Sequence, residues 1–274
     1  MTDQERGTLL WAKPSKSARS SRWSLHDATL IDEAADLIQR TPSVGHLVLD
    51  EAQDLSPMML RAVARRSSTG SITVLGDLAQ ATTPWGSRSW RIALGHLGKP
   101  EAHIEELTQG FRVPGDVIEF AARLLPSIAP GLAPPTSVRE GARSLDVRRH
   151  RTGEADGAIT GVVGELDARL GTVGVIVADA DVAGLRRRLD AAGTTYALLG
   201  EDDASPEVWT TVDLVPASLA KGLEFDHVVV VEPASIVAGE SDEVTGLRRL
   251  YVCLTRAVTS LIVLHQRDLP AVLR

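Results

Sequence analysis

Two adjacent carboxylates, Asp50 and Glu51, stand directly after the short apolar run His46-Leu47-Val48-Leu49 and ahead of a helical stretch opened by Pro57. At the carboxyl end of a buried strand, the first acid of such a pair can hold Mg²⁺ through water. The second can orient or deprotonate a water that attacks a phosphoryl group. A segment of similar form, Leu75-Gly76-Asp77-Leu78-Ala79-Gln80, lies about 26 residues further on. Glycine permits a sharp turn at a strand end, and the Gln80 carboxamide is a neutral group that can touch a terminal phosphate or its water. Each segment has a plainer reading. Acids after a strand often cap a helix, and Gly-Asp often makes only a turn. Together they describe a nucleotide site with a sensor.

The elements that must position these residues follow from hydrophobic pattern. Runs with β character recur at 46–49, 72–75, 103–107, 145–148, 173–178, 195–199, 211–215, 227–231 and 260–264. Helical spacing occupies 30–38, 57–66, 115–125, 155–170, 181–192 and 245–257. Four-residue apolar runs such as Val228–Val231 suit strands buried on both faces, and strand–helix alternation argues for α/β architecture with parallel sheets. Residues 1–22, rich in Ser, Lys and Arg, read as an extended arm. The Pro- and Gly-rich stretch 126–144 reads as a long surface loop.

Composition narrows the function classes. The chain has 274 residues, 43% of them hydrophobic and 24% charged, which gives room for two ordinary domains. Its single cysteine, Cys253, cannot form an internal disulfide, which suits a reducing cytoplasm. No apolar run approaches the ~20 residues of a membrane span, and residues 1–22 lack the apolar centre of a secretory signal. The net charge of −7 argues against a surface that is basic overall and built to wrap nucleic acid. Local basic clusters remain at Arg65-Arg66, Arg148-Arg149, Arg186–Arg188 and Arg248-Arg249; such doublets are commonly solvated helix faces.

With three later segments added, the chain resembles superfamily 1 helicases of the UvrD/Rep type. Asp50-Glu51-Ala52-Gln53-Asp54 and Leu75-Gly76-Asp77-Leu78-Ala79-Gln80 resemble motifs II and III of that family. Leu107-Thr108-Gln109-Gly110-Phe111-Arg112 resembles motif IV, Ala220-Lys221-Gly222-Leu223-Glu224-Phe225-Asp226 motif V, and Leu250–Ala257 motif VI. The resemblance implies two P-loop NTPase (RecA-like) lobes, 1–104 and 105–274, with ATP between them and single-stranded DNA across their tops. It places Asp50 on Mg²⁺ and makes Glu51 the residue that activates water. Gln53, Gln80, Lys221, Gly222 and Glu224 would face ATP, with Glu224 near the ribose. Arg112 would reach the γ-phosphate and Arg256 would be an arginine finger. A guanidinium is planar, permanently charged and suited to phosphate oxygens, which supports both arginine roles. Arg256 as a helix arginine, and Gly222-Leu223-Glu224 as an ordinary turn, are the plainer alternatives.

The departures from the family pattern fall mainly on the nucleic-acid side. The two aromatic positions that follow motif III in the family are Thr83 and Trp85 here, so one stacking platform is lost and one kept. Stacking a base on an aromatic contributes roughly 1–3 kcal/mol; Trp85 as a core residue is an equal reading. Pro216 and Ser218 stand where a threonine and a histidine are common, and Gly110 and Phe111 replace an asparagine and a tyrosine. About a hundred residues separate Arg112 from Lys221, too few for the family's large 2B insertion. Nothing matches the Walker A loop, G-x-x-x-x-G-K-[ST]; the single Gly-Lys pair, Gly98-Lys99, is followed by Pro100. The first lobe is therefore expected to be incomplete and the chain inactive alone.

The segments Leu10–Pro14, Leu55-Ser56-Pro57, Pro84–Trp90 and Val215-Pro216-Ala217 resemble the helicase IV/HelD branch. That resemblance implies the C-terminal motor portion of a longer protein, with the phosphate loop far upstream of motif II. Its output would be DNA translocation or unwinding, or alternatively the ATP-driven release of RNA polymerase. If Met1 were the true start, a non-catalytic nucleic-acid- or protein-binding module would be the third reading.

Overall fold

The computed structural model of the chain describes residues 2–139, 143–151, 153–201 and 210–274. Helix α1 (Asp3–Leu9) opens it, with Thr2 and Glu5 in a reciprocal capping box, and a 3₁₀ turn follows at Ala18–Ser20. The expected extended arm is thus corrected: the T-x-x-E start signal operates although apolar periodicity is lacking. Helix α2 (Leu25–Ile38) begins at Leu25 rather than Leu30, because Ser24 and Asp27 form a second capping box.

Strand β1 (Val44–Leu49) leads through α3 (Pro57–Arg65) into β2 (Ser67–Val74), and the two strands pair in parallel. Pro57 sits in the first helical turn, where its missing N–H costs nothing, and Ser56 Oγ accepts from Met59 N at 3.3 Å. Helix α4 (Trp90–His96) packs Ala93 and Leu94, with the following Leu97, against Leu60 of α3 to make a small core. Helix α2 docks on α3 through its acidic face. Arg65 Nη2 and Arg66 Nη1 each lie 3.1 Å from Asp32 Oδ2, and Arg65 also pairs with Glu33. The apolar side of α2 points outward, with Leu37 and Ile38 80% and 88% exposed.

The expected strand at 103–107 does not form. That stretch is irregular, carries Glu105 and Glu106, and leaves Leu107 exposed, so it has no apolar face to bury. The chain pairs slightly later, β3 (Gln109–Gly110) with β4 (Thr136–Ser137), around helices α5 (Gly115–Ala122) and α6 (Leu125–Ile128). The expected loop over 126–144 therefore contains β4 and most of α6; residues 140–142 lie outside the described residues.

The remaining elements are β5 (Leu145–Arg149), α7 (Ala155–Asp167), β6 (Val173–Val177), α8 (Val182–Ala191), β7 (Ala197–Leu198) and β8 (Val212–Pro216). They continue with β9 (Phe225–Val231), α9 (Pro233–Ala238), α10 (Glu243–Leu254) and β10 (Ala257–His265). The strands form one parallel sheet in the order β5-β10-β9-β6-β8-β7. Their side chains alternate between two cores. Val173, Val175, Val229, Val231, Ile262 and Leu264 pack against α7 and α8. Ile176, Val228, Val230, Leu261 and Val263 pack against α5, α6, α9 and α10. Burial on both faces explains the continuous apolar runs, each full side chain contributing roughly 1.5–3 kcal/mol. Helix α10 ends at Leu254, three residues short of the expected boundary, and places Arg256 between helix and strand. Among the described residues no helix is long and apolar enough to cross a membrane.

Candidate functional site

The turn after β1 is strained and tied down. Glu51 has φ 52°, in the left-handed region that side chains other than glycine rarely adopt. Its backbone N donates to Asp50 Oδ1 at 2.8 Å. Gln53 is fully buried, and its carboxamide joins the ends of the two strands: Nε2 donates to Glu51 Oε2 at 2.6 Å, and Oε1 accepts from Asp77 N at 3.1 Å. Gly76 makes room for this bridge, since a Cβ there would come within 2.2 Å of Gln53 Oε1. Gln53 thus positions Glu51 from inside the fold.

The turn after β2 is built in the same way. Asp77 Oδ1 accepts from Ala79 N at 2.9 Å, and Asp77 Oδ2 accepts from Gln80 Nε2 at 2.8 Å. Gln80 Oε1 in turn accepts from Arg256 Nη2 at 3.1 Å. A carboxylate only accepts and a guanidinium only donates, so the two neighbours fix the Gln80 amide orientation. Arg256 is 4% exposed; its Nε donates to Val252 O at 2.9 Å and its Nη1 to Leu223 O at 3.3 Å. Burial, and then the nearby charge of Arg112, lower the pKa of this guanidinium.

Lys221 crosses from the loop after β8 to the β1–β2 side. Its Nζ lies 3.0 Å from Glu51 Oε2, donates to Gln80 O at 3.0 Å, and pairs with Asp54 Oδ2. Asp54 Oδ1 accepts from Thr82 N at 3.0 Å, so one carboxylate links both turns to Lys221. Burial works to raise the Glu51 carboxyl, but Gln53, Lys221 and Arg256 outweigh it and hold the group below the usual glutamate value. Gly222, at φ 79°, gives the turn after Lys221 a left-handed step that glycine makes without strain. Arg112, following β3, pairs with Glu224, and both are about half exposed.

Three more placements complete the description. Asp50 is exposed at the end of β1. Among the described residues no group of three or more His, Cys, Asp or Glu side chains is arranged to hold a metal. A Mg²⁺ that keeps its waters and takes one carboxylate plus phosphate oxygens needs no such group, and Asp50 fits that donor set. Trp85 is half-buried. Its Nε1 donates to Asp54 O at 2.9 Å, and His26 of α2 stands edge-on to it with ring centroids 4.3 Å apart. The basic clusters are largely engaged: Arg148 with Asp146, Arg149 with Asp268, Arg186 with Glu201, and Arg249 with Glu240.

Glu51, Gln53, Gln80, Lys221 and Arg256 therefore meet at one junction between the two sheets, with the Arg112–Glu224 pair beside Arg256. Asp54, the last acid of the Asp50–Asp54 motif, and Gly76, the turn glycine of the second motif, join them; neither was expected to face ATP.

No family model matches the chain, and no curated protein matches it. Among solved structures, the C-terminal domain of a possible DNA helicase from Lactobacillus plantarum WCFS1 is similar at 22% identity, with a TM-score of 0.46, over 60% of this chain and 92% of that one. Arterivirus nonstructural protein 10, a helicase in complex with DNA, is similar at 17% identity, with a TM-score of 0.44, over 83% of this chain and 41% of that one.

Proposed function

We propose that the chain is the C-terminal motor portion of a UvrD/Rep-type superfamily 1 ATPase of the helicase IV/HelD-like branch, with RecA-like lobes at 1–104 and 105–274. The observation that carries the reading is the convergence at the junction. Lys221 Nζ lies 3.0 Å from Glu51 Oε2 and Arg256 Nη2 lies 3.1 Å from Gln80 Oε1, so groups from both sides of the molecule can grip one phosphate chain. In this reading Glu51 takes the proton of the attacking water, and Gln53 holds the carboxylate in place. Gln80 reports the terminal phosphate to Arg256. Arg256 and Arg112 stabilise charge as it develops, a role that contributes about 10³–10⁵ in rate in other nucleotide hydrolases. Mg²⁺ bound through Asp50 would neutralise phosphate charge. Hydrolysis would open and close the junction through Lys221.

DNA translocation is the first reading of the output. The engagement of Trp85 by Asp54 and His26 favours the second reading, in which the lobes drive release of RNA polymerase rather than tracking of stacked bases. The test is phosphate release by the longer protein and by this chain alone. The longer protein should hydrolyse ATP and lose at least about 10³-fold of that activity with Glu51→Gln or Arg256→Ala. The chain alone, lacking the Walker A loop, should not hydrolyse ATP. Full activity in both variants would refute the assignment. Binding of the longer protein to single-stranded DNA and to RNA polymerase at one salt concentration separates the two outputs.

A further inference from the structure

Arg248 is a buried cation to which the nucleotide reading gives no role. It lies on α10 and is 8% exposed, and among the described residues no carboxylate pairs with it. Burying an unpaired charge is costly, and a guanidinium does not escape the cost by losing its proton. Burial, and then the charge of Arg88, lower its pKa, with Asp242 and Asp54 acting the other way. Its donors go instead to backbone carbonyls on two sides of the molecule. Nε and Nη2 donate to the carbonyl of Ile128, the last residue of α6, at 3.2 and 2.9 Å. Nη1 reaches across to Ala81 O, at 3.4 Å, in the segment that follows β2.

The position of Ala81 gives this contact its use. Ala81 is fully buried and stands between the two residues through which the β2 turn meets the rest of the junction. Gln80, before it, accepts from Arg256 Nη2 at Oε1 (3.1 Å) and from Lys221 Nζ at its backbone O (3.0 Å). Thr82, after it, donates its backbone N–H to Asp54 Oδ1 at 3.0 Å, and Asp54 pairs with Lys221. Arg248 on α10 and Arg256 just past its end are a little over two helical turns apart. They hold consecutive residues of one segment, Ala81 and Gln80. A planar fork with donors on several edges can engage Ile128 O and Ala81 O together, whereas the single ammonium of a lysine presents one compact charge.

We propose that Arg248 is a positioning residue, a clamp that seats residues 80–82 against α10 so that Gln80 and Asp54 meet Arg256 and Lys221. The clamp rests on the motor reading for its purpose, but its test is read on the chain itself and needs no nucleotide. The effects of Lys221→Met and Asp54→Asn on the urea unfolding constant are measured singly and together. The measurement is made in the unaltered chain, in Arg248→Met and in Arg248→Lys. In the unaltered chain the two effects should depart from a simple product by about 2- to 150-fold. In both Arg248 variants the departure should fall below about twofold, while the amide NMR signals of Val173–Val177 in β6 stay dispersed. Should Arg248→Met fail to fold, Arg248→Lys, which keeps the charge and a donor for Ile128 O, carries the test. A residue that only stabilised the fold would lower the urea midpoints and leave the departure unchanged. That result overturns the proposal, as does a departure that Arg248→Lys retains in full. No departure in the unaltered chain contradicts the junction itself, and the clamp with it.

Discussion

Lys221 and Glu51 carry the electrostatics of the junction, and their pairing has a definite pH signature. The folded state holds the Glu51 carboxyl below its ordinary value, through Gln53, Lys221 and Arg256 acting against burial. A depressed folded pKa contributes stability that is fully present above the unfolded value, about 4.3, and lost as pH falls through the folded one. The stability difference between the unaltered chain and Glu51→Gln should therefore be constant above about pH 5 and shrink below about pH 4. Urea unfolding at neutral and acid pH measures it; a difference that does not change with pH would show that the carboxylate is not held by its partners. With the Glu51 side chain about half exposed, the effect is small. At this scale the sequence exposed Glu51, Gln80 and Arg256 because each belongs to a dense local motif. Asp54 belongs to the same motif as Glu51, but its bridging contacts were not legible, because its partners Thr82 and Lys221 stand 28 and 167 residues away and no local pattern encodes such contacts.

Helix α10 is the element that aims Arg256, and it is set against α9 by a glycine. A Cβ on Gly246 would meet the Val237 carbonyl oxygen at 2.3 Å and its carbonyl carbon at 2.9 Å, and backbone atoms cannot step aside. Gly246→Ala should therefore destabilise the chain by about 1–3 kcal/mol, although alanine favours a helix by up to about 1 kcal/mol. A urea midpoint that rises instead would mean that α9 and α10 are not in contact at this position. The same helix holds Arg248, 8% exposed, whose Nε and Nη2 donate to Ile128 O at 3.2 and 2.9 Å. Most strands of the six-stranded sheet were legible, since a strand buried on both faces must be apolar throughout. Ser67–Ser71 of β2 carried no such signal because its burial is shallow, and the acidic stretch 103–107 mimicked a strand without a face to bury. Helices α4 and α9, six or seven residues long, are too short for periodicity to register.

Across the whole molecule, the six-stranded sheet has a core on each face, whereas β1 and β2 share a small core on α3 and α4 and leave Val44 and Val48 exposed. The β1–β2 sheet and the six-stranded sheet have no strand in common, and the junction joins them through side chains. Strand–helix alternation pointed to parallel sheets, but the contacts across the junction lie between the β1–β2 pair and the six-stranded sheet and had no trace in local pattern. The motor reading requires that Lys221 bridge the two sides in solution. A double-mutant cycle on Lys221→Met and Asp54→Asn, read by urea unfolding of the chain, tests it most directly. The two residues pair in a partly buried setting, with side chains 16% and 19% exposed. The expected result is a coupling energy of about 0.5–3 kcal/mol. Effects that add within about 0.3–0.5 kcal/mol would mean that the bridge is absent and the junction is not formed.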